Sequence, residues 1–262
     1  MTSETSGGGD SPEYLARKQF FQRMLTVYGR NPVSEALLSK DVKPYRLHLA
    51  ESNRPAPVLQ EIERQAREKG ADVQYHSREA LARISKNARQ DQGVALDVEC
   101  EGFASAADFI RSAPQHYELL ALDRITNPQN LGMIIRSVCA SPMTALLLPE
   151  KGCAKLDSLV IKASAGTLFK ARILRCKNLA DCLADFKNIG ADIYGLDARG
   201  ETRLQHLRTP GARVFVMGNE TDGLSPAVAA ACNHSIAIPM QNGVESLNVS
   251  IAASLIAFRT LI

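Results

Sequence analysis

The chain has 262 residues, of which 45% are hydrophobic and 23% charged, and its formal net charge is +3 at pH 7. Such a composition is ordinary for a globular protein and leaves room for one large domain or two modest ones. The sequence contains no apolar run near the roughly twenty residues of a membrane span, and residues 1–10 lack the apolar core of a signal peptide, so we expect a cytoplasmic protein.

The six cysteines show no C-x-x-C pair and no histidine at metal-ligand spacing, so we predict free, reduced thiols and no zinc site. Basic residues, in contrast, are grouped along the chain. The groups are Arg17, Lys18, Arg23 and Arg30; Arg83, Lys86 and Arg89; and Lys162, Lys170, Arg172, Arg175 and Lys177. Each group alone is typical of a solvated face, whereas several together would suit a phosphate backbone.

Residues 1–23 are polar and basic, and we expect a flexible N-terminal extension with a helix over 12–24. Residues 24–100 then alternate between strand and helix patterns, which predicts a small α/β domain. Its predicted strands are 25–28, 45–50, 73–76 and 93–98, and its predicted helices are 31–38, 55–69 and 77–85. Asn31 followed by Pro32 is typical of a helix cap and a first helical position.

Residues 101–116 are predicted to be a linker with a short helix over 106–110, and residues 117–262 a second domain. Its predicted strands are 117–122, 144–148, 173–176, 192–196, 214–217 and 236–240, and its predicted helices are 131–140, 156–163, 179–189 and 249–262. This alternation predicts the α/β class, with a largely parallel sheet and helices on both faces.

The last fifty residues contain two polar turns, each preceded by a short apolar run. Residues 214–217 lead into the turn 218–225 (GNETDGLS), and residues 236–240 lead into 241–248 (QNGVESLN). In a parallel sheet the carboxyl ends of the strands share one edge, where ligands bind. Both turns should therefore face the same crevice.

The residue types in these turns suit a small, flat, polar ligand. Gly218 would let a ligand approach the backbone, and the amides of Asn219 and Asn248 each offer a donor and an acceptor. Ser246 or Asn248 would open the last helix and leave free N–H groups facing the ligand. Ordinary turns with helix caps have the same composition.

Several common catalytic signatures do not occur in the sequence. It lacks G-x-G-x-x-G and G-x-x-x-x-G-K-[ST], which bind nucleotide phosphates, and it lacks the G-x-S-x-G of many hydrolases. The five histidines are scattered, and we interpret each as a surface or capping residue.

Three motifs resemble those of the SpoU, or TrmH-like, branch of the knotted (SPOUT) RNA methyltransferases. The first is residues 127–136 (NPQNLGMIIR), similar to the family's N-x-G-x-I-x-R. The second is 216–220 (VMGNE) with 223–225 (GLS), and the third is 238–240 (IPM) with 244–250 (VESLNVS). Their order and spacing match the family over residues from about 117 to 262.

The resemblance implies a trefoil-knotted fold and an S-adenosylmethionine-dependent transfer of a methyl group to a ribose 2′-hydroxyl of structured RNA. The RNA is ribosomal or transfer RNA, of which we favour ribosomal RNA. It implies that the small domain is a ribosomal-protein-like RNA-binding domain. Leu196 is expected at the floor of the cofactor pocket. The residues implied to enclose the cofactor are Gly218, Ile238, Met240 and Leu247.

The catalytic residues implied by the resemblance are Asn130, Arg136, Glu220, Ser246 and Asn248. Asn130 and Arg136 should both point towards the crevice if their helix begins near Asn130. Arg136 is interpreted as an anchor for the target phosphate and a stabiliser of negative charge on the oxygen, because a guanidinium is hardly ever deprotonated in a protein. Ser246 and Asn248 would align the reacting groups, and Glu220 would orient a partner.

Members of the family act as homodimers in which the arginine of one chain approaches the cofactor of the other. The last helix is apolar nearly all round, which also favours cover by a second chain. Two residues depart from the family's pattern: Asp91 often has a histidine counterpart, and Asn242 a glycine. A carboxylate at Asp91 would repel RNA from that turn. The alternative to an enzyme is a non-catalytic RNA-binding or ribosome-assembly protein on the same scaffold.

Overall fold

The structure is a computed structural model that describes residues 11, 13, 20–40, 42–207 and 211–261. The extension expected over residues 1–23 and the helix expected over 12–24 lie mostly outside these residues. All six cysteines lie inside them and are free thiols, as predicted, with Cys100, Cys176 and Cys182 buried.

The N-terminal part forms a four-stranded sheet in the order β1-β4-β2-β3, in which β2 and β3 are parallel and the other pairs antiparallel. The strands are β1 (Met24–Tyr28), β2 (Lys43–Ala50), β3 (Asp72–His76) and β4 (Val94–Glu99). The helices are α1 (Arg30–Leu38), α2 (Pro57–Glu68) and α3 (Arg78–Ser85). Each lies within a few residues of its predicted position.

The predicted cap of α1 is wrong. The N-cap is Gly29, whose φ of 92° is in the left-handed region that favours glycine, and Asn31 lies inside the helix. The interpretation of Asp91 is wrong as well. Its carboxylate is 2% exposed and accepts hydrogen bonds from Ser85 Oγ (3.0 Å) and the Gly93 N–H (3.0 Å), so it holds a turn rather than facing RNA.

A polar row crosses all four strands of this sheet. Thr26 Oγ1 donates to Asp97 (2.6 Å), Asp97 bonds His48 Nε2 (3.0 Å), and His48 Nδ1 bonds His76 Nε2 (2.9 Å). His48 is buried, so its interpretation as a surface residue is wrong. Burial raises the pKa of Asp97, but hydrogen bonds from His48 and Thr26 outweigh this and hold the pKa below its usual value. Burial, then His48 and Arg46, lower the pKa of His76.

The second sheet has eight strands, all parallel, in the order β10-β12-β9-β11-β6-β7-β8-β5. The strands are β5 (Phe103–Ser105), β6 (Tyr117–Leu122), β7 (Ala145–Pro149), β8 (Ile173–Cys176), β9 (Asp192–Leu196), β10 (Thr202–Arg203), β11 (Ala212–Met217) and β12 (His234–Ala237). β5 pairs with β8 and lies within residues 101–116, where we expected a linker. These residues therefore extend the large sheet.

Helices cover both faces of this sheet, as predicted. They are α4 (Ala106–Arg111), α5 (Pro128–Cys139), α6 (Ser158–Ala163), α7 (Leu179–Asn188), α8 (Pro226–Ala231) and α9 (Val249–Phe258). Alternate residues of each strand point to opposite faces: Leu120 and Phe215 pack with the α5 and α9 side, and Leu119 and Val214 with the α7 and α8 side. The α/β class with a parallel sheet is confirmed.

The last helix is shorter than predicted. α9 ends at Phe258, and Arg259, its C-cap residue, is buried. The Arg259 guanidinium pairs with Glu118 and lies 4.4 Å from the centre of the Phe215 ring. This buried pair ties the chain end to the start of β6. Among the described helices, none has the length and apolar character required to cross a membrane.

Candidate active site

Residues 218–225, which we call the tight turn, follow β11 at the carboxyl edge of the large sheet. Asn219 and Gly223 exchange backbone hydrogen bonds of 3.0 and 2.9 Å. A Cβ on Gly218 would lie 2.2 Å from the Gly223 carbonyl, so the turn itself requires glycine at this position. The sequence interpretation, close approach of a ligand to Gly218, gave a different reason for the same residue.

The tight turn is anchored to the residues that follow β6. Asp123 Oδ2 accepts from the Ser225 N–H (2.6 Å), Arg124 Nη2 donates to the Gly223 carbonyl (3.1 Å), and Asn219 Nδ2 donates to the Arg124 carbonyl (3.1 Å). Sequence reasoning missed Asp123 and Arg124. Their signal was two charged residues directly after the apolar run 119–122, at the edge where ligands bind.

Three of the predicted catalytic residues meet in one hydrogen-bond network. Asn130 is buried at the start of α5, and its Nδ2 donates to Glu220 Oε1 in the tight turn. Asn248 Nδ2 donates to Asn130 Oδ1 (3.2 Å), and Asn248 Oδ1 accepts from the N–H (2.8 Å) and Oγ (2.6 Å) of Ser250. Asn248 is the N-cap of α9, one of the two residues we expected to open this helix. The network therefore joins α5, the tight turn and α9.

The start of α5 fixes the position of Asn130. Asn127 is the N-cap and accepts from the backbone N–H groups of Gln129 (2.8 Å) and Asn130 (3.4 Å), and Pro128 occupies the first turn. A Cβ on Gly132 would lie 2.4 Å from Ala163 Cβ, so glycine here lets α6 pack closely. Asn130 and Gly132, the N and G of the N-x-G motif, thus have separate structural roles: Asn130 bonds the tight turn, and Gly132 lets α6 pack closely.

Arg136 is not part of this network within one chain. Arg136 and Asn130 are six residues apart on α5, so their side chains leave the helix about 120° apart. Asn130 is buried and Arg136 exposed, and the Arg136 side chain has no hydrogen bond or ion pair to any residue that the structure describes. The expectation that both point into the same crevice is wrong for a single subunit.

Residues 238–247, which we call the open loop, follow β12 at the same edge. Ile238, Met240 and Leu247 are half-buried, and Ser246 is exposed. In the part of the chain that the structure describes, the backbone N–H groups of these four residues have no hydrogen-bond partner. Asn242 has a φ of 56°, which asparagine tolerates better than most residues.

The open loop has the groups needed to hold an adenosine. Its free backbone amides can bond the edge of an adenine ring, and Ile238 and Leu247 offer apolar surface for the ring faces. Leu196, at the end of β9, is half-buried and packs with Ile238 against the core. The residues present therefore fit the adenosyl part of S-adenosylmethionine.

An open parallel sheet with polar turns at its carboxyl edge defines an α/β protein that binds its ligand at that edge. Residues 117–258 match the SpoU rRNA methylase family, and residues 26–101 match the substrate-binding domain of RNA 2′-O ribose methyltransferases. The chain belongs to the SpoU rRNA methylase family. It is an S-adenosylmethionine-dependent RNA methyltransferase that acts on the ribose 2′-hydroxyl.

Similar proteins agree with this assignment. A tRNA/rRNA methyltransferase of Mycolicibacterium paratuberculosis is 35% identical over 233 residues, which are 88% of this chain and 75% of that protein. The fold is similar to an AdoMet-bound rRNA methyltransferase from Sinorhizobium meliloti, with a TM-score of 0.61, 22% identity, and coverage of 95% of this chain and 90% of that chain. It is also similar to the SpoU methyltransferase AviRb from Streptomyces viridochromogenes in complex with AdoMet, with a TM-score of 0.62, 22% identity, and coverage of 96% and 93%.

Proposed function

We propose that this protein methylates a ribose 2′-hydroxyl of ribosomal RNA, with S-adenosylmethionine held between the tight turn and the open loop. The observation that carries the proposal is the network in which Asn130 joins Glu220 to Asn248. This network fixes the tight turn against the start of α9 and leaves the open loop's backbone amides unbonded. The ribosomal substrate is supported by the family match and by the similar fold of the Sinorhizobium meliloti protein, an rRNA methyltransferase.

The proposed cofactor residues act in two ways. Ile238, Met240 and Leu247 bind the adenosyl part with backbone amides and apolar surface, while Gly218 permits the turn that closes the other side. The cofactor's sulfonium supplies an already activated methyl group. The protein's task is therefore to align the ribose oxygen with that methyl group and to exclude water.

The proposed catalytic residues position the substrate. Ser246 is exposed within the open loop and has no hydrogen bond to any described residue, so its hydroxyl is available to the ribose. Asn248 and Glu220 are oriented by Asn130. Arg136 binds the phosphate of the target nucleotide and stabilises negative charge that develops on the ribose oxygen.

We propose further that the active unit is a homodimer, because one chain leaves Arg136 outside the network. Met133 is 41% exposed and lies three residues before Arg136 on the same face of α5. Ile251 on α9 is 52% exposed. α5 and α9 are joined by Ser137 Oγ and Ser254 Oγ (2.8 Å), so these residues form one partly apolar patch. A second chain packed on this patch would bury it and carry its own Arg136 towards the first chain's cofactor.

In this arrangement residues 24–100 bind the RNA, residues 117–262 carry out the transfer, and the protein acts in the cytoplasm. The division of labour is supported by the separate match of residues 26–101 to a substrate-binding domain. The location is supported by the RNA substrate and by six free thiols, which suit a reducing compartment.

The substrate is tested by incubating the purified protein with tritiated S-adenosylmethionine and either total ribosomal RNA or total transfer RNA, followed by mapping of 2′-O-methyl groups. We expect label at a ribose 2′-oxygen of ribosomal RNA and little label in transfer RNA. Label confined to transfer RNA, or on a base, would overturn the proposed substrate.

The dimer is tested by mixing two inactive subunits. Arg136→Ala should lower turnover roughly a hundredfold, as for loss of an oxyanion-stabilising donor, with the fold and cofactor affinity near normal. Its partner is a Gly218→Ala subunit, which retains Arg136. Mixed dimers isolated by two different tags should regain one working site in two. Absence of recovery in verified mixed dimers would exclude an arginine that acts across the interface.

A further inference from the structure

Two cavities lie beyond the tight turn, on the side of the large sheet that faces the small domain. The smaller, of about 250 Å³, begins at Asp123, Arg124 and Ser225, the residues that anchor the tight turn. The larger, of about 830 Å³, is lined by residues of both domains. Lys177 and Asn178 line both cavities, so the two adjoin, and we call them together the groove.

The groove follows the carboxyl edge of the sheet. Its walls include the residues after β6, β7 and β8, which are neighbours in the sheet order. β11, which carries the tight turn, is three strands from β8, or about 14 Å at the usual spacing between strands. The groove therefore leads from the proposed cofactor site to the small domain, a path too long for the cofactor alone.

Arg175 is half-buried, lines the larger cavity and has an unused hydrogen-bond donor. The Nε of Arg175 is buried and has no hydrogen-bond partner among the residues that the structure describes. Burial lowers the pKa of its guanidinium, with Glu150 nearby acting in the opposite direction. A desolvated guanidinium with an unused donor is costly unless an anion completes it. A phosphate oxygen would supply that acceptor.

Two lysines reach the same cavity from different parts of the sequence. Lys177 follows β8, and Lys86 is the C-cap residue of α3 in the small domain. The basic groups around Lys86 and around Arg175, which are some ninety residues apart in the sequence, thus meet across one groove. Phe21, 55% exposed, lies at the same cavity and offers a ring on which a base can stack.

Acidic residues restrict how a strand can lie here. Glu150, Asp181 and Asp185 also line the larger cavity, and Asp181 and Asp185 lie on α7. Carboxylates repel phosphates but accept hydrogen bonds from the amino groups of bases. The phosphates must therefore follow the side formed by Arg175, Lys177 and Lys86, with the bases turned towards α7.

We propose that this groove binds the single-stranded RNA that flanks the methylated nucleotide, with phosphates on Arg175, Lys177 and Lys86. The proposal rests on the proposed function, since it takes RNA as the substrate. It adds a second contact region, separate from the cofactor turns, that couples the small domain to the reaction site. Single-stranded RNA is the form that fits, because a narrow groove with an exposed ring suits splayed bases better than a duplex.

The test measures binding of a fluorescein-labelled oligouridylate of about twelve nucleotides to the full chain over a range of salt concentrations. The double variant Lys86→Gln/Lys177→Gln should bind roughly tenfold more weakly. Its plot of log K against log salt should also be less steep by about 1.4, because each phosphate contact on a single strand contributes about 0.7 to the steepness. Asp185→Asn should bind this probe more tightly, because uracil has no amino group to donate to the carboxylate and the substitution removes a charge that repels phosphates. Lys187→Gln, on α7 but outside the groove, is the matched control.

Michaelis constants for total ribosomal RNA and calorimetric affinities for S-adenosylmethionine complete the test. We expect the double variant to raise the Michaelis constant for RNA and to leave cofactor affinity unchanged. If the wild-type protein methylates RNA while the double variant and Asp185→Asn match Lys187→Gln in RNA affinity and salt slope, the groove proposal is wrong and the proposed function stands. If the wild-type protein transfers no methyl group to any RNA, the proposed function fails first.

Discussion

The tight turn and the open loop lie at the same edge of the sheet, yet the protein holds them in opposite ways. The tight turn bonds to itself and to Asp123 and Arg124, so its shape is set before any ligand arrives. The open loop contains a single backbone hydrogen bond between described residues, from the Val244 N–H to the Gln241 carbonyl (3.2 Å). One side of the proposed site is held by hydrogen bonds, and the other offers free donors.

The largest difference between the two segments should appear at their glycines. In Gly218→Ala the new Cβ collides with the Gly223 backbone, which costs about 1–3 kcal/mol as overpacking, and affinity for S-adenosylmethionine should fall more than tenfold. In Gly243→Ala nothing lies within 4 Å of the new Cβ, and only its φ of 73° is unfavourable, at about 1 kcal/mol. Calorimetric titration measures the cofactor affinity of each variant, and urea unfolding measures its free energy of unfolding. Equal losses of affinity and stability in the two variants would contradict the difference between the two segments.

A second effect is expected where the network connects the two sides. Asn130→Ala leaves the Glu220 carboxylate and the Asn248 amide without their shared partner, which should cost about 1–3 kcal/mol of unfolding free energy. Turnover should fall as well, because Asn248 and Glu220 lose their orientation. Gln129→Ala, whose side chain is exposed on the same helical turn, is the matched control. If the variant equals the control in stability and turnover, Asn130 has no role in the site.

The smallest effect is expected in the small domain, outside both segments. The pKa of His76 is lowered in the folded protein, so the unfolded chain binds protons more readily. The contribution of His76 to stability is therefore fully present above about pH 6.5 and is lost as the pH drops. In His76→Gln the midpoint of urea unfolding should therefore change less between pH 7 and pH 5 than in the wild-type protein. Cofactor affinity should be unchanged. Asp97, whose pKa is also lowered, contributes only at lower pH. His234→Gln, in the large sheet, is the control, and an equal flattening in that variant would contradict the assignment.

The sequence predicted the elements better than the contacts between them. Apolar runs such as 119–122 and 214–217 become fully buried parallel strands because both faces of the sheet are covered. β5 was not predicted because a strand of three residues carries too little pattern, and it is stabilised by pairing with β8, some seventy residues later. Local signals define elements, whereas pairing between distant segments defines the sheet.

The candidate site shows the same limit. Resemblance led to Asn130, Glu220 and Asn248, which the structure joins, but nothing local connects Asp123 with Ser225, about a hundred residues apart. Asp91 and His48 were misread because a polar residue reveals its burial only through its partners. The place of Arg136 could not be derived from the sequence, because its side chain lies outside the network of a single chain and its role belongs to the proposed dimer.

Hydrogen exchange with and without S-adenosylmethionine tests whether the free amides of the open loop bind the cofactor while the tight turn keeps its shape, since it reports the protection of each backbone amide. Without cofactor, the amides of Ile238, Met240, Ser246 and Leu247 should exchange rapidly, and those of Asn219 and Gly223 slowly. With saturating cofactor, the account predicts strong protection of Ile238, Met240 and Leu247 and little change in the tight turn. Unchanged exchange in the open loop under conditions where calorimetry shows binding would contradict it.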